Sequence, residues 1–244
     1  MKKLIVALAA TAALTVACNK EEHKDANLHI TGTIKGLKQG KLYIQQLKDT
    51  ALVALDTIVI NGNSDFESYL KIDSPEMLYM FLDRGQTNSV DNNLPFFAEP
   101  GEMKIETGNE QFFANAKITG SENQKAYEDF LKIKSRFTSQ NLDLVKKSIE
   151  ATKDGNVAVL DSVRVSQDRL MARRYLYTVN FALSHSNKEI APYLALAEIY
   201  DIKNVKYLDT IANSMTPKVA KSLYGKELKA YIADRKKAQQ TQMQ

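Results

Sequence analysis

The sequence predicts an α+β chain, with an N-terminal antiparallel β-sandwich or open barrel followed by a C-terminal α-helical region. Three observations predict it. From Leu28 to Gly120 the apolar residues come in short runs with period-two alternation, separated by turn residues. After Gly120 the apolar period becomes helical and stays so. No Gly/Pro-rich linker separates the two patterns, so the first helix is expected to pack on the β-rich part.

Taken in order, "LHITGTI" places Leu28, Ile30 and Ile34 on one face of a strand. "KLYIQQL" follows the turn-like "KGLKQG". "LVALDTIVI" is rich in β-branched residues and ends in "NGNS", a turn signal before "DFESYL". "MLYMFL" reads as a buried strand. "FFAEPGEMKIE" reads as two strands about a plain hairpin turn at Glu99-Pro100-Gly101-Glu102. There Pro pre-sets φ and Gly permits a positive one. "AKITG" closes the series.

Ser121 and Gln124 have the spacing of a capping box. Tyr127, Phe130, Phe137 and Leu144 then recur at helical intervals up to the stop signal Lys153-Asp154-Gly155. A second helix carries Leu160, Val163, Leu170, Tyr177 and Phe181 along one stripe. Ser186 and Glu189 read as a capping pair for "IAPYLALAEIY". Thr216-Pro217 reads as cap plus first position for the last helices, which the sequence breaks at Gly225. "QQTQMQ" is a polar, frayed tail.

The start of the chain is different in kind. Lys2 and Lys3 precede fourteen uncharged apolar or small residues, Leu4 to Ala17. A membrane-crossing helix needs roughly 20 apolar residues, so this run has the proportions of a secretory signal instead. Cys18, the single cysteine, follows Ala17 directly. The stretch resembles a bacterial lipoprotein signal, which implies cleavage before Cys18 and lipidation of that residue. Thr15 departs from the pattern, because the lipobox usually has a branched aliphatic residue there. Asn19 at the second mature position lacks the aspartate of a common inner-membrane retention signal. Lys20, Glu21 and Glu22 resemble the export tag of Bacteroidetes surface lipoproteins, which implies display on the outer face of the outer membrane; the periplasmic face is the alternative. Residues 1–17 are thus read as signal, 18–26 as tether, 27–120 as β-rich domain and 121–244 as helical region.

Composition narrows the function classes. Cleavage before Cys18 removes two lysines and no acid, taking the formal net charge from +4 to +2. A nearly neutral chain has no electrostatic case for nucleic acid. One cysteine permits no internal disulfide, and thiol-disulfide exchange normally needs a second, resolving thiol. His23, His29 and His185 are too scattered to suggest a metal site. Ser184 beside His185 lacks a nucleophile elbow, and adjacent residues on a helix are expected to point apart. Arg169, Arg173 and Arg174, near Tyr175 and Tyr177, read as a solvated helix face with Asp161 and Asp168. No catalytic residue, cofactor or metal ligand is expected.

The order of "LHITGTIKGLKQGKLYI", "DTIVINGNSDFES", "FFAEPGEMKIE" and "ITGSENQKAYEDF" resembles the β-rich domain of unknown function at the front of Bacteroidetes TlpA/ResA-like thioredoxin lipoproteins. "NKEIAPYLALAEIY" and "SLYGKELKAYI" are similar to the helical connector of that family. In full-length relatives a thioredoxin fold with Trp-Cys-x-x-Cys follows, and Gln244 stands where it would begin. The resemblance therefore implies a lipid-anchored, non-catalytic binding or scaffolding module for an envelope protein or extracellular ligand. The alternative is an accessory to a thiol-disulfide oxidoreductase that receives its thioredoxin domain in trans.

Overall fold

The computed structural model describes residues 25–85 and 89–241. Eight strands come first: β1 (Leu28–Lys35), β2 (Gln39–Lys48), β3 (Ala51–Asn61), β4 (Asp65–Leu70), β5 (Glu76–Asp83), β6 (Asn93–Ala98), β7 (Gly101–Gly108) and β8 (Lys117–Thr119). Five helices follow: α1 (Glu122–Lys153), α2 (Val157–Ser184), α3 (Ile190–Glu198), α4 (Lys206–Ser214) and α5 (Leu223–Thr241). The strands form two four-stranded sheets, ordered β4-β1-β7-β8 and β3-β2-β5-β6. This is the predicted α+β arrangement of a β-sandwich and a helical region.

Period-two alternation sends Leu28, Ile30 and Ile34 of β1 inward against Leu42 and Ile44 of β2 and Leu78, Met80 and Leu82 of β5. Phe96 and Phe97 are adjacent, so they face opposite sides of β6, yet both are fully buried. Phe96 belongs to the sandwich core, whereas Phe97 belongs to a second core shared with the helices. Strands covered on both faces lose their polar face, which is why "MLYMFL" and "FFA" are unbroken apolar runs.

The structure corrects the hairpin reading of Glu99-Pro100-Gly101-Glu102. β6 pairs with β5, and β7 pairs with β1 and β8, so this turn carries the chain from one sheet to the other. Gly101 takes φ +128° at the corner and donates its N–H to Asn27 O. That bond starts β7 parallel to β1, while the other pairings are antiparallel.

α1 starts as expected, with Ser121 Oγ accepting from Gln124 N at 2.9 Å. The return half of the capping box is diverted. Gln124 Oε1 instead accepts from Phe97 N at 2.7 Å, tying the first turn of α1 to β6. Two later boundaries also differ. α5 runs through Gly225 without a break, and its preceding boundary is Ser222, whose Oγ accepts from Gly225 N. Gly225 is needed for close approach: a Cβ there would stand 2.0 Å from Val219 O. Thr216 Oγ1 accepts from Val219 N at 3.5 Å, so it serves the short 3-10 turn Val219–Lys221 and not the last helix.

Three cores result. One fills the sandwich. One joins α2 to α3, α4 and α5 through Val179, Ala195, Leu208, Ile211 and Leu228. The third lies between them, where Met77 and Phe97 of the second sheet meet Ala126 and Phe130 of α1 and Ile190 and Leu194 of α3.

Candidate functional site

Three places combine accessible space or exposed side chains with uncommon chemistry: the polar seam over the third core, an apolar groove on the helices, and the exposed face of the first sheet.

The seam is built around Asn123, on the first turn of α1 and 2% exposed. Its Nδ2 donates to Glu189 Oε2 at 3.0 Å and to Glu99 Oε2 at 3.3 Å, while its Oδ1 accepts from Ile190 N at 2.9 Å. Glu99 Oε2 also accepts from Ser121 Oγ and from Asn123 N, which places its charge at the N-terminus of α1. One side chain thus ties the β6–β7 corner to α1 and α3. The structure corrects the reading of Ser186 and Glu189 as a capping pair. Neither side chain caps α3; Asn123 supplies that acceptor from 67 residues away. No local pattern signals this, because the cap and the helix it serves are far apart in sequence. Beside the seam is a cleft of about 430 Å³ that includes Glu99, Glu189, Lys218 and Lys221.

Below the seam, Tyr224 Oη accepts from Met77 N at 2.9 Å, and the rings of Tyr193 and Tyr224 meet that of Phe97. Burial pushes both phenols well above the ordinary tyrosine range, so they remain neutral. Glu76 is buried beside them and accepts from Gln46 Nε2. Burial raises its pKa, with the Gln46 bond opposing the shift. The folded protein therefore holds this proton at a pH where the unfolded chain has released it. Stability from this group falls as pH rises from the ordinary glutamate range through the raised folded value. Glu76→Gln should remove that loss, so urea midpoints compared between about pH 4 and 7 should move increasingly in the variant's favour.

The groove has a volume of about 410 Å³ and lies between α2 and the α3–α4 connection. Met171, Tyr175 and Leu176 line one side, Ile202 and Tyr207 the other. Met171 and Leu176 are each 47% exposed. Tyr175 Oη donates to Asp201 Oδ1 at 2.7 Å, bridging the groove's two sides. Arg174 lies over the Tyr175 ring, whereas Tyr177 faces α1 and stacks on Phe130. The two tyrosines thus have different neighbours, and Arg169 and Arg173 are exposed, as expected for a solvated face.

Of the predicted site residues, Cys18, Lys20, Glu21 and Glu22 lie outside the described residues, as does His23. Ser184 and His185 do meet, contrary to the sequence reading, with Oγ and Nδ1 3.1 Å apart. The helix ends at Ser184, and His185 leaves helical geometry, so its ring folds back onto Phe181. The serine hydroxyl donates to Phe181 O, and His185 Nδ1 lies 2.9 Å from the same carbonyl. Nδ1 is therefore placed as a donor and not as a base for the serine. His29 lies on the outer face of the first sheet between Glu67 and Glu102. Among the described residues no three His, Cys, Asp or Glu side chains converge as a metal-binding group. No helix among them is long and apolar enough to cross a membrane.

Residues 28–127 match the family model of a domain of unknown function (DUF4369). The match runs past β8 into the first two turns of α1, the part of that helix that Gln124 and Glu99 bind to the sheets. No curated protein and no solved structure is significantly similar to the chain.

Proposed function

We propose that the protein is a lipid-anchored component of the cell envelope that binds a protein partner and does not itself catalyse a reaction. Lys2, Lys3, the apolar run Leu4 to Ala17 and Cys18 support cleavage and lipidation. Lys20, Glu21 and Glu22 support an outer-membrane address, displayed outward. Kinship with the β-rich and connector parts of TlpA/ResA-like thioredoxin lipoproteins belongs to the same proposal.

The observation that carries the binding role is the groove. Met171, Leu176, Ile202 and Tyr207 provide an apolar floor, with Asp168, Asp201 and Lys203 at its polar edge. An apolar centre with a polar rim suits the apolar face of a partner's amphipathic helix.

A photo-crosslinking side chain at Leu176, in intact cells, tests this. One discrete adduct is expected, absent when the probe replaces Val157 at the exposed tip of the α1–α2 hairpin and lost in Met171→Asp. A thioredoxin-fold protein in that adduct would favour the accessory role. Only diffuse labelling from Leu176 would remove the basis for a partner-binding groove. Separately, Cys18→Ser should abolish palmitate labelling and leave the protein soluble or unprocessed. Each buried acyl CH₂ contributes about 0.8 kcal/mol to anchoring, and that contribution is lost with the thiol.

A further inference from the structure

We propose that the partner seated in the groove is a second copy of this chain, whose α1 supplies the amphipathic helix, the two copies exchanging the contact about a two-fold axis. The inference rests on the reading of the groove as a helix seat and adds where that helix comes from. The distal parts of α1 and α2 form a finger. Between Thr138 and Gln167 only Ala151 and Val163 are buried. Leu144, Ser148 and Ala151, at i, i+4 and i+7, are the covered row of α1 there and face α2. Leu142, Val145 and Ile149, at i, i+3 and i+7, make a second apolar row that is 58%, 37% and 51% exposed.

The exposed row and the groove open on the same side of the finger. Thr138, one turn before Leu142, lines a trough of about 270 Å³ between α1 and α2, and Met171 lines both that trough and the groove. A two-fold axis through this side therefore brings each copy's row over the other's groove, an isologous contact that closes at two copies. Leu142, Val145 and Ile149 then cover Met171, Leu176 and Tyr207. Charge is complementary across the contact. Lys146 and Lys153 stand four residues after Leu142 and Ile149, along one edge of the row, and Asp143 and Glu150 fall farther round by the helix's roughly 100° step. The groove's polar edge carries Asp168 and Asp201, with Lys203 the single cation there. Asp201 accepts from Tyr175, whereas Asp168 is exposed and offered to Lys146. The row stops at Ile149, so Val157 at the finger's tip stays outside the contact.

Sedimentation equilibrium of the full chain carrying Cys18→Ser tests this and should give the mass of two copies. Ile149→Asp and Leu176→Asp should each weaken association at least about 30-fold, as loss of a central apolar contact does. Both positions are exposed in the single copy, so circular dichroism should stay unchanged. Lys146→Glu and Asp168→Lys should each weaken association about tenfold by setting like charges together, and the chain carrying both should recover most of it. A second measurement uses the absence of any other thiol in the Cys18→Ser background. Val145→Cys chains mixed with Leu176→Cys chains should be joined by a short bis-maleimide, whereas Val59→Cys chains, altered on β3, should not be. A single-copy mass up to about 1 mM, or a dimer indifferent to Ile149→Asp, would overturn the proposal. A single-copy mass together with a discrete adduct from Leu176 to a different protein in cells would overturn the second copy and leave the groove as a helix seat; diffuse labelling would remove both.

Discussion

Phe97→Ala is expected to destabilise the protein by about 3–5 kcal/mol, the range for truncating a fully buried phenylalanine. Phe97 is 0% exposed and lies on the helix-facing side of β6. Its ring meets Tyr193 of α3 edge-on at 5.6 Å and Tyr224 of α5 at 6.1 Å. Removing it opens a cavity at the place where sheet and helices share apolar surface. The neighbouring rings are held by their own contacts, including Tyr224 Oη to Met77 N, so the site cannot collapse fully. Both halves should feel the loss. Urea unfolding followed by helical circular dichroism and by tyrosine fluorescence should show the two transitions shifting together. A shift below about 1 kcal/mol, or one confined to the helical signal, would show that the third core does not couple the halves.

Asn123→Ala is expected to cost a similar amount, about 3–5 kcal/mol, through a different mechanism. The amide satisfies two carboxylates and one helix N-terminal N–H. Glu99 keeps Ser121 Oγ and the backbone N–H of residue 123. Glu189 is 3% exposed and, among the described residues, is left with Lys218, whose Nζ is 3.9 Å away on a side chain that is 79% exposed. A buried carboxylate losing its close donor, together with an unsatisfied Ile190 N–H, accounts for the magnitude. The mechanism predicts non-additivity. With Glu189→Gln already present, Asn123→Ala should cost at least about 1 kcal/mol less, because no buried charge is then stranded. Strict additivity in that double-mutant cycle would refute the account.

Both predictions rest on residues whose roles the sequence hides in different degrees. Phe97 is visible as half of an apolar pair in a strand, and the pair itself implies burial on both faces. Asn123 is not visible. It looks like an ordinary polar residue on the first turn of a helix, and Glu189, its partner 66 residues on, looks like part of a local cap. The groove is similarly hidden, since Met171 and Leu176 on α2 are joined by Ile202 and Tyr207 only once α4 is in place.

By itself the sequence determined what depends on neighbours along the chain. Period-two runs set the strands, the switch at Gly120 set the boundary between halves, Ser121 began α1, and Gly155 ended the first helical run. Tertiary structure alone decided what depends on distant segments. It sent the Glu99–Glu102 corner between sheets and not into a hairpin, aligned β7 parallel to β1, capped α3 from α1, and carried α5 through Gly225. The physical reason is that periodicity and capping propensity act over one or two turns, whereas strand partners and buried polar pairs are selected by which faces can be dried together. That selection depends on all the apolar surfaces at once, and no short stretch of residues encodes it.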